Sequence, residues 1–128
     1  MPDEALRITP EIERQLSALR RSPKFQKEWT QWNPSYPGAP TEEIRLAAEQ
    51  AVNAMLDRMQ KGLLASPHKS YVMAEFREML KAFEHGTDSE EREQACTYCE
   101  DVMEILGIES SDGLLNTWLY GFDPDQKP

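Results

Sequence analysis

Between Thr41 and Lys61 the apolar residues fall at Ile44, Ala48, Ala51, Val52, Met55 and Met59, the spacing of one helix face. Thr41 offers a hydroxyl to the free N–H groups of the first turn, and Glu42 and Glu43 suit the positive end of the helix dipole. Gly62 supplies a residue able to take a left-handed stop conformation. Leu46, Ala47 and Leu56 widen the apolar arc to roughly half the circumference, more than a helix with one neighbour needs. The pattern predicts the central helix of a bundle, contacted from two sides.

The flanking stretches carry the same period. Thr9-Pro10 is a cap followed by a first-turn proline, and Ile8, Ile12, Leu16 and Leu19 make a narrow stripe for a helix from Pro10 to Arg21. Ser22-Pro23 repeats the device and predicts a short helix around residues 23–32, with Phe25, Trp29 and Trp32 on one side. Residues 33–40, with three prolines and a glycine, form a turn or extended crossing. Trp29, Trp32 and Tyr36 beside it read as the lid of a core more readily than as a ligand platform.

Ser66-Pro67 opens a further long helix with Val72, Phe76, Met79, Leu80 and Phe83 inward and Gly86 as its end. Asp88 and Glu91 have the spacing of a capping box before a helix burying Ala95, Cys96, Cys99, Val102, Met103 and Leu106. Gly107 and Ile108 sit where a Schellman stop places its glycine and its apolar contact. Ser110 or Ser111 caps a last short helix around 111–120 bearing Leu114, Leu115, Trp118 and Leu119, which Gly121 stops. No strand-like alternation, repeat or low-complexity segment appears. The expectation is an all-α, single-domain bundle over residues 1–128, with four main helices, two short ones, and frayed ends at 1–7 and 124–128.

Composition narrows the function classes. The chain has 128 residues, 39% of them hydrophobic and 29% charged, enough for a core without metal or disulfide staples. No apolar run approaches the length of a membrane span, and the polar, acidic start lacks the pattern of a secretory signal. Two cysteines three apart in a helical pattern suit a reducing cytoplasm. The net charge of −9 is unevenly placed. Residues 1–81 balance near neutrality, whereas residues 82–128 hold twelve acids and two bases. Such a C-terminal third repels nucleic acid and anionic membranes and attracts a basic partner. The basic group Arg20, Arg21, Lys24 and Lys27 reads as ordinary surface charge.

Candidate chemistry is sparse. Cys96-Thr97-Tyr98-Cys99 matches C-x-x-C, but it lies two turns inside a helix beside Glu93 and Glu100, which raise a thiol pKa. Buried apolar thiols are the simpler reading. A zinc site would need His68 and His85 from other segments, and those suit capping or surface roles. Glu100-Asp101-x-x-Glu104 with Glu109-x-x-Asp112 resembles the carboxylate pairs of the all-α nucleoside triphosphate pyrophosphohydrolases, which hold magnesium between facing helices. Here Gly107 breaks the chain between the pairs, and Glu104 projects away from the apolar face, so a solvated acidic face is the plainer account. No phosphate loop, Glu-x-x-His pair or EF-hand loop is present.

The phrase SSDGLLNTWLYGFDP, residues 110–124, is similar to the ending of an uncharacterised family of small bacterial helical domains, a resemblance that implies no activity. Trp118 and Phe122 there anchor the chain end, or an aromatic ringed by acids serves as a protein-binding anchor. In type, though not in motif, the chain resembles the small acidic helical immunity and antitoxin proteins of bacteria, which cover basic toxins. The expectation is a non-enzymatic domain that binds a basic protein. Glu100, Asp101, Glu104, Glu109 and Asp112 steer that encounter, and Trp118 or Tyr120 anchors it. It assigns no catalytic residue, metal ligand or cofactor. The rivals are a metal-dependent nucleotide hydrolase built on the carboxylates of residues 100–112, and a homo-oligomer packed through its aromatic surfaces.

Overall fold

The computed structural model describes residues 3–26, 36–84 and 89–121. Five α-helices follow in order: α1 (Pro10–Arg21), α2 (Glu42–Gly62), α3 (Lys69–Leu80), α4 (Ser89–Leu106) and α5 (Leu114–Tyr120), with a 3-10 turn at Lys81–Phe83 between α3 and α4. The protein is all-α, with no strands among the described residues beyond a single bridge at Ala5 and His68. None of these helices is long and apolar enough to cross a membrane.

Local signals set several boundaries. The Ile12 N–H donates to Thr9 Oγ1 at 3.2 Å and the Ile44 N–H to Thr41 Oγ1 at 3.1 Å, so both threonines cap as their positions predict. At the end of α4 the Ile108 N–H reaches the Met103 carbonyl at 2.9 Å and the Gly107 N–H the Glu104 carbonyl at 3.3 Å, with Gly107 at φ 75°. That is the Schellman pattern, and Ile108 is buried under it. The Asp88 cap and the Gly86 stop lie outside the described residues, as do Trp29, Trp32, His85 and Phe122.

The core is built around α2 and α4. α2 touches α1, α3, α4 and the 3-10 turn, and buries Ala48, Val52, Met55, Leu56 and Met59. Its apolar arc is narrower than the sequence suggests, because Leu46 is 42% exposed and Ile44 37%. α4 is the most enclosed element, burying ten residues that include Glu91, Gln94, both cysteines and Tyr98.

Ser66-Pro67 does not open α3, which starts at Lys69 with His68 at its cap position, and three further local expectations fail for tertiary reasons. Residues 23–26 are not helical, and 27–32 lie outside the described residues. Phe25 instead takes a left-handed backbone (φ 62°) that drives its ring into the core, stacked on Phe83 with centroids 5.6 Å apart and edge-on to Tyr98 at 5.1 Å. The left-handed strain costs about 1–2 kcal/mol, and burying a phenylalanine returns about 1.5–3. Lys24, expected on the surface, is also fully buried. Its ammonium donates to the Ser22 and Arg20 carbonyls at 2.8 and 3.1 Å, satisfying the end of α1.

Gly62 is the second failure. It is the last helical residue of α2, followed by Leu63 in the right-handed region, and it takes no left-handed conformation. Its lack of a side chain serves a close approach: a Cβ there would lie 2.0 Å from Tyr71 Oη and 2.6 Å from Cζ.

The third concerns the N-terminal residues. Residues 3–6, expected to fray, run antiparallel to 67–70. The Leu6 N–H donates to the Pro67 carbonyl at 2.7 Å and the Lys69 N–H to the Glu4 carbonyl at 2.8 Å. Asp3 accepts from the Ser70 N–H at 3.0 Å and from its hydroxyl, so α3 is capped by a carboxylate 67 residues away in the chain. His68 at the cap position makes no side-chain cap bond.

Candidate functional site

Helical spacing places Glu90, Glu93, Glu100 and Glu104 along one stripe of α4, since they follow one another by 3, 7 and 4 residues. Glu90, Glu93 and Glu104 are exposed, while Glu100 and the adjoining Asp101 are half-buried. The middle of this stripe forms one wall of a groove of about 340 Å³, with Glu93, Cys96, Thr97 and Glu100 on α4 facing Leu115, Asn116, Leu119 and Tyr120 on α5. Tyr120 is 56% exposed at its edge. Burial raises the Glu100 carboxyl above the usual carboxylate range, so its charge is held at a cost that a neighbouring cation would relieve. Glu100 and Tyr120, two of the residues expected to meet a partner, therefore share one groove, and Glu104 continues its acidic wall.

Asp112 and Trp118 lie elsewhere. They line a second groove, between α3 and the start of α5, with Met73, Arg77, Leu80, Lys81, Glu84 and Leu114. Asp112, itself left-handed at φ 56°, pairs with Lys69 at 2.8 Å and accordingly braces a corner. The Trp118 ring carries the Arg92 guanidinium 5.0 Å from its centroid. Glu109 is exposed just past the end of α4. The residues expected to act as one surface are thus divided between two faces of α5.

The thiols behave as the sequence suggests. Cys96 and Cys99 are free and buried. Burial, reinforced by Glu100, pushes the Cys96 thiol up to about 12, and burial holds the Cys99 thiol well above its ordinary value. Neither supplies a thiolate at neutral pH. Among the described residues no three histidine, cysteine, aspartate or glutamate side chains are grouped so as to hold a metal ion. The carboxylates of residues 100–112 do not converge there.

One polar cluster is not visible in the sequence pattern. The Tyr36 hydroxyl donates to Glu91 Oε2 at 2.7 Å, both side chains are buried, and Gln94 is fully enclosed on the same helix. The Tyr98 hydroxyl accepts from the Phe25 N–H at 3.0 Å, and the Phe25 carbonyl accepts from the Ala39 N–H at 2.9 Å. The first two bonds tie Tyr36 and Phe25 to α4, and the third joins Ala39 to Phe25. Glu91 has the sequence signature of a capping residue, and only its i, i+4, i+7 relation to Ala95 and Tyr98 hints that it faces inward. Of the basic group near the end of α1, Arg20 pairs with Asp57 at 2.9 Å, Lys24 is internal and Arg21 is exposed, while Lys27 lies outside the described residues.

A family model matches residues 7–123, under the description "Domain of unknown function (DUF4844)". The chain belongs to the DUF4844 family. The match takes in all five helices and both grooves, so the DUF4844 domain is the whole of the described bundle except residues 3–6. It also contains nearly all of the 110–124 phrase through which the resemblance to an uncharacterised family is visible. No curated protein and no solved structure matches the chain significantly.

Proposed function

We propose that this DUF4844 domain is a non-enzymatic protein-binding module that docks a basic partner on the acidic stripe of α4 and in the adjoining α4/α5 groove. The observation that carries the reading is the alignment of Glu90, Glu93, Glu100 and Glu104 along one helix beside an exposed Tyr120. Exposed carboxylates in a row steer an approaching cation and set its register. A tyrosine at the groove edge offers a large, rigid contact with a polar tip, the composition of an interface anchor. Asp101 and Glu109 add to the field around this face. Asp112 and Trp118 stand apart from it.

On this reading the domain works in a bacterial cytoplasm, in the manner of the small acidic immunity and antitoxin proteins that cover basic toxins, and takes neither nucleic acid nor membrane as its partner. The buried free thiols agree with a reducing compartment.

Affinity capture from native lysate at low salt names the partner, and stopped-flow association then tests the face. Glu93→Lys with Glu104→Lys should slow association at low salt, and the wild-type rate should fall steeply with ionic strength. Salt-independent association that ignores both reversals would refute the docking face. Saturable magnesium binding by calorimetry would favour a metal-dependent nucleotide hydrolase instead. Light scattering that shows a stable homo-oligomer burying Tyr120 would assign the groove to a second copy.

A further inference from the structure

The α3/α5 groove encloses about 600 Å³, more than the α4/α5 groove, and lies within the size range of small-molecule sites. Its floor is apolar: Met73 and Leu80 are buried, and Leu114 and Trp118 are partly buried against the core. The Arg92 guanidinium on the Trp118 ring helps fix the orientation of that side chain. One wall is basic, because Arg77 and Lys81 stand four residues apart, one turn on, and both are exposed.

The acids on the rim are Glu84 and Asp112, and Asp112 is already committed to Lys69 at 2.8 Å. The pairing of Lys81 with Glu78 is between two exposed side chains and exchanges readily for another anion. In a chain of net charge −9, this groove thus sets two cations against an apolar surface. The complement of an apolar floor with a basic wall is an apolar molecule with an anionic head.

We propose that the α3/α5 groove is a binding site for a small apolar carboxylate of the medium-chain acyl class. The chain lies along Met73, Leu80, Leu114 and Trp118, and the carboxylate meets Arg77 and Lys81. The proposal is independent of the docking face on α4, because no lining residue is shared between the two grooves.

The test is an amide-shift titration of the full chain with sodium decanoate below its micelle concentration, set beside decyl glucoside, which has the same tail and an uncharged head. Saturable one-to-one binding should move the amides of Met73, Leu114, Thr117 and Trp118. Arg77→Glu with Lys81→Glu should weaken it by about tenfold or more, and the neutral head should lose as much. Both substituted side chains are exposed, so an unchanged circular dichroism spectrum confirms the fold; Arg77→Ala with Lys81→Ala is the milder check. The proposal is overturned by unsaturable shifts, by equal binding to the charge-reversed variant, or by equal binding of the glucoside. It is also overturned if sedimentation shows the groove filled by a second copy, or if only an acidic amphipathic peptide binds there.

Discussion

Replacing Gly62 by alanine separates two opposing effects. Alanine favours a helix over glycine by up to about 1 kcal/mol, and Gly62 has helical backbone angles, so substitution on an isolated helix would stabilise. In the folded chain the added Cβ lies 2.0 Å from Tyr71 Oη, 2.6 Å from Cζ and 3.2 Å from Cε1. The ring must move by an ångström or more, and overpacking of this kind costs about 1–3 kcal/mol. It also breaks the bond from the Tyr71 hydroxyl to the Arg58 carbonyl, 3.0 Å long, worth about 1 kcal/mol. The net expectation for Gly62→Ala is a loss of about 1–3 kcal/mol. In a Tyr71→Ala background the obstacle is gone, and the same substitution should stabilise by up to about 1 kcal/mol. Urea unfolding of the four proteins gives the coupling directly. A neutral or stabilising Gly62→Ala in the parent, or an equal loss in both backgrounds, would refute the close-approach account of this glycine.

Further expectations test other parts of the fold. Gly107→Ala meets nothing within 4 Å but is held at φ 75°, so it should cost about 1–2 kcal/mol through backbone strain alone, and Gly107→Asn should cost less in the same urea assay. Tyr36→Phe removes the hydroxyl donor to buried Glu91 and should cost about 1–3 kcal/mol; an unchanged unfolding midpoint would show the bond to be dispensable. The Ser70 hydrogen bonds hold the Asp3 carboxyl below its usual range, so its contribution is present above the unfolded carboxyl pKa, about 4, and is lost as pH falls through the lower folded value. Asp3→Asn should flatten that acid limb in pH-dependent thermal unfolding. A thiol-specific disulfide reagent at pH 8 should leave Cys96 and Cys99 unmodified until denaturant is added, since burial raises both; fast labelling of the native chain would contradict their enclosure.

What was legible in the chain alone is what acts within a turn or two. The helices from Pro10 to Arg21 and from Glu42 to Gly62, the threonine caps and the Schellman stop at Gly107 all depend on neighbours one to five positions away. Periodicity and capping chemistry encode those directly, and with them the all-α class and the buried thiols. The acidity of the last third was also readable from composition, but its partition was not. Whether Glu100, Tyr120, Asp112 and Trp118 share a face depends on how α5 seats between α3 and α4, which is a packing result.

Tertiary contacts decided the rest. Asp3 caps α3 because residues 3–6 dock beside 67–70. Phe25 abandons a helix because a pocket of Phe83, Tyr36 and Tyr98 awaits its ring. Lys24 turns inward to meet carbonyls at the end of α1, and Gly62 is small because Tyr71 crosses it. In each case a local preference of about 1 kcal/mol is overruled by burial or by an unpaired polar group worth more, and the partner that does so is remote in the chain or needs the folded neighbourhood to reach it.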